Sequence, residues 1–388
     1  MRVLHVIPSV SALRGGPSVA VVAMAREIRT LGIDCDVLTT DDDGPGRMDA
    51  VCGGWREHGG ARVWFLPRWT PSGPRALREF AVGRGLDAWL DARMAGYDIL
   101  HVHALFSHLP SRTMTRARRA GRPYILRPLG LLEDYSLRRS RWKKLLALAA
   151  ADRANVRRAA AIHWTSDRER VVSTIARGCP GWVVPLGVDA PVLPSAREAR
   201  EIPTILFLSR WAPKKRIDLL LDALANLRDR PWRLVLAGSA DDGRFGERVR
   251  EWVAGCGFAD RVELPGFLDG ERKAAALARA DMFVLPSESE NFGIAVAEAM
   301  AWGLACVVTP GVALADDIAA AGAGWVAGGA DTPGNLAGAI AEALADPAEC
   351  RNRGARAAGY ARENLGWRAC ARKLLARYSE IHAKGNVA

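Results

Sequence analysis

Short, unbroken apolar runs alternate along this chain with longer segments in which apolar residues recur every three or four positions. Buried parallel strands interleaved with amphipathic helices give that pattern. The run Val3 to Pro8 predicts a first strand, Val19 to Leu31 a helix, and Asp36 to Thr40 a second strand. Further strands are expected at Ile99 to Val102, near Tyr124 to Leu126, and at Ala161 to Trp164. A stretch holding Pro191, Pro194 and Pro203 among charged residues interrupts the alternation and reads as a linker. The pattern then restarts, with strands at Thr204 to Ser209, Arg233 to Ala237, Val262 to Leu264, Met282 to Pro286, Ala305 to Thr309 and Gly324 to Ala327. A basic amphipathic helix, Trp367 to Ala383, closes the chain. Strand-helix alternation that restarts after a linker predicts an α/β protein of two domains in tandem. The expected boundaries are residues 1–190, a linker over 191–203, residues 204–366, and a final helix over 367–388 that returns to the first domain.

Length and composition agree, since 388 residues exceed a single typical core. No apolar run of about 18 residues escapes interruption by charge, Gly or Pro, so no transmembrane helix is expected. The opening Met-Arg-Val-Leu-His-Val-Ile-Pro is too short and too interrupted for a secretory signal, and the chain is expected to be cytoplasmic. Its seven cysteines are scattered and odd in number, which argues against a disulfide framework or a zinc cluster.

Charge sharpens the picture through its location. Between Pro110 and Ala160 lie fourteen Arg or Lys and three Asp or Glu, an excess equal to the +11 of the whole chain. Within that segment Arg138, Arg139, Arg141, Lys143 and Lys144 flank Trp142 and several leucines, the mixture of an amphipathic helix on an anionic membrane. A merely solvated basic face fits the composition equally well. No nucleic-acid fold signature accompanies the charge, and no nucleic-acid partner is expected.

Two carboxylates, Glu290 and Glu298, stand with seven residues between them after the strand ending at Pro286 and across the start of a helix that Gly303 closes. Ligands of open α/β sheets gather at such strand-to-helix turns, where a helix N-terminus also favours anions. An isolated pair of this kind is usually just solvated. Other features of the chain have to support it. The second domain opens with Ser209-Arg210-Trp211-Ala212-Pro213-Lys214-Lys215-Arg216, four cations in a loop that could neutralise a diphosphate. Gly15 and Gly16 permit close backbone approach after the first strand. His103 stands at a strand's carboxyl end, a position open to a structural or a functional role. Trp211 and Trp142 are the tryptophans best placed to contact a sugar.

In this order along the chain, Gly15-Gly16, His101-Val102-His103, Val184 to Asp189, Ser209-Arg210 with Lys215, Gly266-Phe267-Leu268, the Glu290–Glu298 stretch and Gly303-Leu304 resemble the retaining glycosyltransferases of family 4. Arg127 to Gly130 and the basic segment after it are similar to those of bacterial exopolysaccharide and O-antigen group 1 glycosyltransferases. The resemblance implies a GT-B fold, two Rossmann-like domains facing each other across a cleft. It implies transfer of a hexose from a UDP- or GDP-sugar, with retention and without metal or other cofactor, to a lipid-linked or oligosaccharide acceptor in surface polysaccharide biosynthesis. The enzyme would then work peripherally on the inner face of the cytoplasmic membrane.

By the same resemblance Arg210 and Lys215 bind the donor's diphosphate, Glu298 the ribose, and Glu290 the transferred sugar. Asn291, Phe292 and Gly293 join the donor contacts, backbone around Gly266, Phe267 and Leu268 touches the base, and Gly15 and Gly16 approach the diphosphate from the first domain. His103 lies near the reacting centre or the acceptor, and the expected catalytic group is Glu290, His103, Arg210 and Lys215. Three positions depart from the family pattern. Leu186 replaces an Asn, Arg216 replaces a Gly after the diphosphate lysine, and Ala104 follows His103 where some relatives carry an acid. A nicotinamide-dependent dehydrogenase is the rival from another enzyme class, but the Gly15-Gly16 loop lacks its glycine spacing. A non-catalytic sugar-nucleotide or membrane-binding module remains open at this stage.

Overall fold

A computed structural model describes residues 1–44, 46–70, 82–132, 152–191, 200–240, 242–329 and 332–385. Most of the predicted linker and the Arg138–Lys144 cluster with Trp142 lie outside the described residues. The chain divides into two compact units, Met1–Gly187 with Trp367–Ala388, and Val188–Gly366.

In the first unit the strands of the main sheet are β1 (Arg2–Val6), β2 (Asp34–Thr40), β3 (Trp55–His58), β4 (Ala61–Leu66), β5 (Ile99–His103), β6 (Tyr124–Arg127), β7 (Ala161–Trp164) and β8 (Gly181–Val183). They form an eight-stranded sheet in the order β8-β7-β6-β5-β1-β2-β4-β3, parallel except for the β3–β4 edge hairpin. Helices α1 (Gly16–Thr30), α2 (Leu86–Arg93), α3 (His108–Arg119), α4 (Arg153–Arg157) and α5 (Asp167–Val172) follow in chain order. Leu4, Val6, Leu38, Leu100, Val102, Leu126 and Ile162 are buried in one core cluster with Leu109, Met114 and Trp89 from the helices. Such two-sided burial is why these strands read as continuous apolar runs. The edge strand Trp-Arg-Glu-His lacks that signal, and the sequence pattern did not predict it.

The second unit has β9 (Thr204–Leu208), β10 (Arg233–Ala237), β11 (Val262–Glu263), β12 (Met282–Leu285), β13 (Ala305–Val308) and β14 (Gly324–Val326) in an all-parallel sheet ordered β11-β10-β9-β12-β13-β14. Its helices are α6 (Ile217–Ala225), α7 (Gly243–Gly255), α8 (Gly270–Arg279), α9 (Ile294–Ala301), α10 (Ala315–Ala320), α11 (Pro333–Ala345) and α12 (Pro347–Tyr360). The last helix, α13 (Trp367–Gly385), belongs to the first unit and packs against α1. Both units are Rossmann-like, and each sheet has a point where the winding reverses: between β1 and β5 in the first, between β9 and β12 in the second. Loops leaving the carboxyl ends of strands at such points are where open α/β sheets bind ligands.

Candidate functional site

In the second unit the reversal point brings together the two loops on which the sequence placed its cations and carboxylates. After β9 the chain makes one tight turn, Pro213–Lys215, before α6 begins. Arg216 caps that helix with a left-handed φ of 51°, which explains why glycine suits the position; its guanidinium turns onto Asp218. After β12 the loop is clamped by its neighbours. The Lys214 carbonyl accepts from Glu288 N at 2.8 Å and from Ser287 Oγ at 3.0 Å, while Glu290 N donates to Gly311 O at 2.9 Å. A Cβ on Gly311 would collide with the Ser287 and Glu288 carbonyl oxygens, so only glycine lets the β13 loop lie this close. Gly293, with φ at 88°, caps α9.

Lys215 and Glu290 form an ion pair with both side chains largely out of water, 10% and 13% exposed. Burial first, then the neighbouring cations Lys214 and Arg210, holds the Lys215 ammonium well below the usual lysine range. The Glu290 carboxylate offsets that cost. Arg210, by contrast, is exposed on the same loop. One helical turn into α9, Glu298 Oε1 accepts from Lys273 Nζ at 2.7 Å. Lys273, on α8, was not singled out from the sequence, because its link to Glu298 exists only once α8 and α9 pack. The loop after β11 leads to Gly266, whose φ is 76° and whose carbonyl accepts from Gly238 N; Phe267 is 45% exposed and Leu268 is buried. Asn291 is half-buried and Phe292 is in the core. Trp211 is also buried, its amide bonded to Ser239 O, so it offers no sugar platform.

In the first unit Gly15 caps α1 with φ at 95°, no atom lies within 4 Å of where its Cβ would be, and Gly16 is the first helical residue. Arg14 grips Asp42 with Nε and Nη2 at 2.6 and 2.8 Å and so pins the loop before them. His103 ends β5 as expected, but its side chain is fully buried and both ring nitrogens are engaged. Nε2 meets His5 Nδ1 at 2.9 Å and Nδ1 meets Arg127 Nη1 at 3.4 Å. Its missing sequence-adjacent partner is thus supplied by neighbouring strands, β1 and β6. Burial, followed by His5, Arg127 and His163, drives its pKa far down and keeps the ring neutral.

His5, His101 and His103 present ring nitrogens within 4.8 Å of one another, a spacing that a metal ion could use. Every nitrogen of the three is already hydrogen-bonded, however, and the Arg127 cation stands beside them. That arrangement disfavours a further cation. In the two Asp-x-Asp sequences, Asp34 is exposed beside Arg2 and Asp36 accepts from Tyr97, while Asp41 accepts from Arg68 N and Asp43 accepts from Ser11.

Two family models match the chain, a glycosyl transferase 4-like domain over residues 15–187 and glycosyl transferases group 1 over residues 194–360. The D-inositol 3-phosphate glycosyltransferase of Kineococcus radiotolerans is 33% identical over 221 residues, 50% of this chain and only 51% of that protein. The GDP-mannose:cellobiosyl-diphosphopolyprenol alpha-mannosyltransferase of Komagataeibacter xylinus is 25% identical over 80% of this chain and 75% of its own length. Among solved structures, sucrose-phosphate synthase from Thermosynechococcus elongatus matches with a TM-score of 0.76 at 20% identity, covering 99% of this chain and all of that one, 100%. Anabaena HepE in complex with UDP and glucose matches at 0.75 and 18% identity, over 98% and 99% of the two chains. With each unit matched by a glycosyltransferase model and its whole length superposing on such folds, the chain belongs to the group 1, family 4 glycosyltransferases of the GT-B fold.

Proposed function

We propose that the protein transfers a hexose, with retention and without a metal, from a UDP- or GDP-sugar to a lipid-linked saccharide in surface polysaccharide assembly. The observation that carries this reading is the Lys215–Glu290 pair at the second unit's reversal point, where a cation suited to phosphate meets a carboxylate suited to sugar hydroxyls. On donor binding the diphosphate takes over Lys215 and the exposed Arg210, and Glu290 turns to the hydroxyls of the transferred sugar. Glu298 accepts hydrogen bonds from the ribose, and Asn291, Phe292 and Gly293 with the 266–268 loop complete the donor site. As the C1–O bond breaks, charge grows on the leaving phosphate, so fixed cations there stabilise the transition state more than the ground state. They supply the compensation a divalent ion would otherwise give. The leaving phosphate takes the acceptor's proton as attack occurs on the same face.

The first unit receives the acceptor, and the basic cluster Arg138, Arg139, Arg141, Lys143 and Lys144 rests on an anionic membrane surface. The Komagataeibacter relative's named acceptor, a saccharide on diphosphopolyprenol, favours a lipid-linked substrate. No described helix is long and apolar enough to cross a membrane, and docking on the inner leaflet fits that. Steady-state kinetics test the donor assignment. Arg210→Ala and Lys215→Ala should each lower kcat more than they raise KM, whereas normal kinetics in either would remove that residue from the site.

A further inference from the structure

The first unit contains a buried cation whose surroundings are only half complete. Arg127, at the carboxyl end of β6, is fully buried, and burial draws its pKa down to about 10, so it stays charged at neutral pH. One side of its guanidinium is served by a chain of neutral rings whose direction can be worked out. His163 Nε2 lies 2.8 Å from the Val184 carbonyl, which can only accept, so that nitrogen carries the proton and Nδ1 accepts. His101 Nε2 therefore donates to His163 Nδ1 at 3.2 Å, and His101 Nδ1 accepts from the Tyr378 hydroxyl at 2.6 Å. Tyr378 oxygen accepts from His5 Nε2 at 3.4 Å, His5 Nδ1 from His103 Nε2 at 2.9 Å, and His103 Nδ1 from Arg127 Nη1 at 3.4 Å. An arginine can only donate, so both ends of the chain demand the same direction. The relay points a lone pair at Arg127 and holds it in place.

The other side carries no hydrogen bond: the buried Glu169 carboxylate acts on Arg127 through space, while its oxygens accept from Gly130 N, Thr165 N and Thr165 Oγ1. Among the described residues, Arg127 Nε and Nη2 have no hydrogen-bond acceptor although both are buried. These two atoms form the fork that receives two oxygens of one oxyanion. Elsewhere in the same unit that fork is filled: Arg14 uses it on Asp42, and Arg112 uses it on Asp87 at 2.8 and 3.0 Å. Leaving charged donors unsatisfied in the interior is costly, which marks a missing partner. The loops leaving the sheet at this edge hold Ala104, Phe106 and Leu129 at φ of 73°, 59° and 60°, left-handed in residues that carry a Cβ. Backbone strain of that kind collects at ligand sites.

We propose that the Arg127 fork binds a phosphate group of the acceptor bidentately, at the carboxyl ends of β5 and β6, with the His103–His5–Tyr378–His101–His163 chain as its positioning relay. The assignment of the phosphate to the acceptor rests on the function proposed above. The donor's diphosphate is the other source of the same chemistry.

Hydrogen exchange on the wild-type protein separates them, with farnesyl diphosphate, sodium pyrophosphate and UDP as probes. Farnesyl diphosphate and pyrophosphate should slow exchange of the amides at 104–107 and 129–132. Protection there by UDP alone would move the site to the donor and overturn its assignment to the acceptor, and no protection by any probe would overturn the site itself. Amides at 210–216 report donor binding in the same experiment, so a failure of the donor reading shows at different positions. Arg127→Gln should weaken farnesyl diphosphate binding about tenfold or more, as expected for losing a charged hydrogen-bonding partner. Unchanged affinity in a folded variant would refute the proposal, and the wild-type exchange decides the matter if the variant does not fold.

Discussion

Replacing Glu290 by Gln removes the counter-charge of a lysine whose side chain is only 10% exposed. Removing one partner of a buried ion pair costs about 3–5 kcal/mol, and because Lys215 can shed its proton the loss should fall at the lower end, about 3 kcal/mol. For a unit of this size each kcal/mol moves the melt by about 2–4 °C, so the variant should melt about 6–12 °C lower at neutral pH. The deficit has a pH signature. Lys215's folded pKa lies below its unfolded value of about 10.4, so within that window the unfolded state holds more protons and stability rises with pH. Below the folded pKa both states are protonated and the full penalty applies. Glu290→Gln deepens the depression and should therefore regain stability toward pH 10, with a slope of at most about 1.4 kcal/mol per unit. UDP should narrow the gap, since its diphosphate replaces the lost carboxylate, while sugar transfer stays abolished. Differential scanning fluorimetry across pH, with and without UDP, reads all of this. A variant that melts like the wild type at every pH, or that loses UDP binding as completely as transfer, would rule out these roles for the Lys215–Glu290 pair.

Three further outcomes follow from the same geometry. Gly311→Ala should cost about 1–3 kcal/mol through collision with the Ser287 and Glu288 carbonyls and should lower turnover by displacing Glu290; chemical denaturation with kinetics checks both. Tyr378→Phe deletes the donor to His101 Nδ1 and the acceptor of His5 Nε2, and should destabilise the protein by about 1–3 kcal/mol in urea denaturation; an unchanged midpoint would mean that the relay is not continuous. Neutralising Arg138, Arg139, Lys143 and Lys144 should weaken binding to anionic vesicles, with less salt dependence than the wild type, in a flotation assay.

The sheets were legible because strands buried on both faces are mostly apolar; β7, Ala161–Trp164, and β10, Arg233–Ala237, match their predicted bounds. The β3–β4 hairpin was not, since Trp55–His58 is a short edge strand with polar residues facing water. In the second unit the cations and carboxylates were readable because their loops leave adjacent parallel strands. What the sequence could not show was that Lys215 and Glu290 would already be paired, or that Lys273 would hold Glu298, since both depend on packing between segments far apart. The buried relay was hidden for the same reason: Tyr378 is 277 residues from His101. One signal was available. Two histidines in an otherwise apolar strand, His101 and His103, marked polar groups that would need buried partners.

Transfer from a nucleotide-sugar with retention and without a metal is the chemistry proposed for this protein. The most direct measurement incubates the protein in EDTA with a panel of UDP- and GDP-hexoses and a polyprenyl-diphosphate-linked sugar, and determines the product's anomeric configuration by NMR. Transfer is expected from at least one donor in that panel, with the donor's own anomeric configuration in the product and none from Glu290→Gln. Inversion, a strict requirement for a divalent ion, or no transfer from any donor would contradict it.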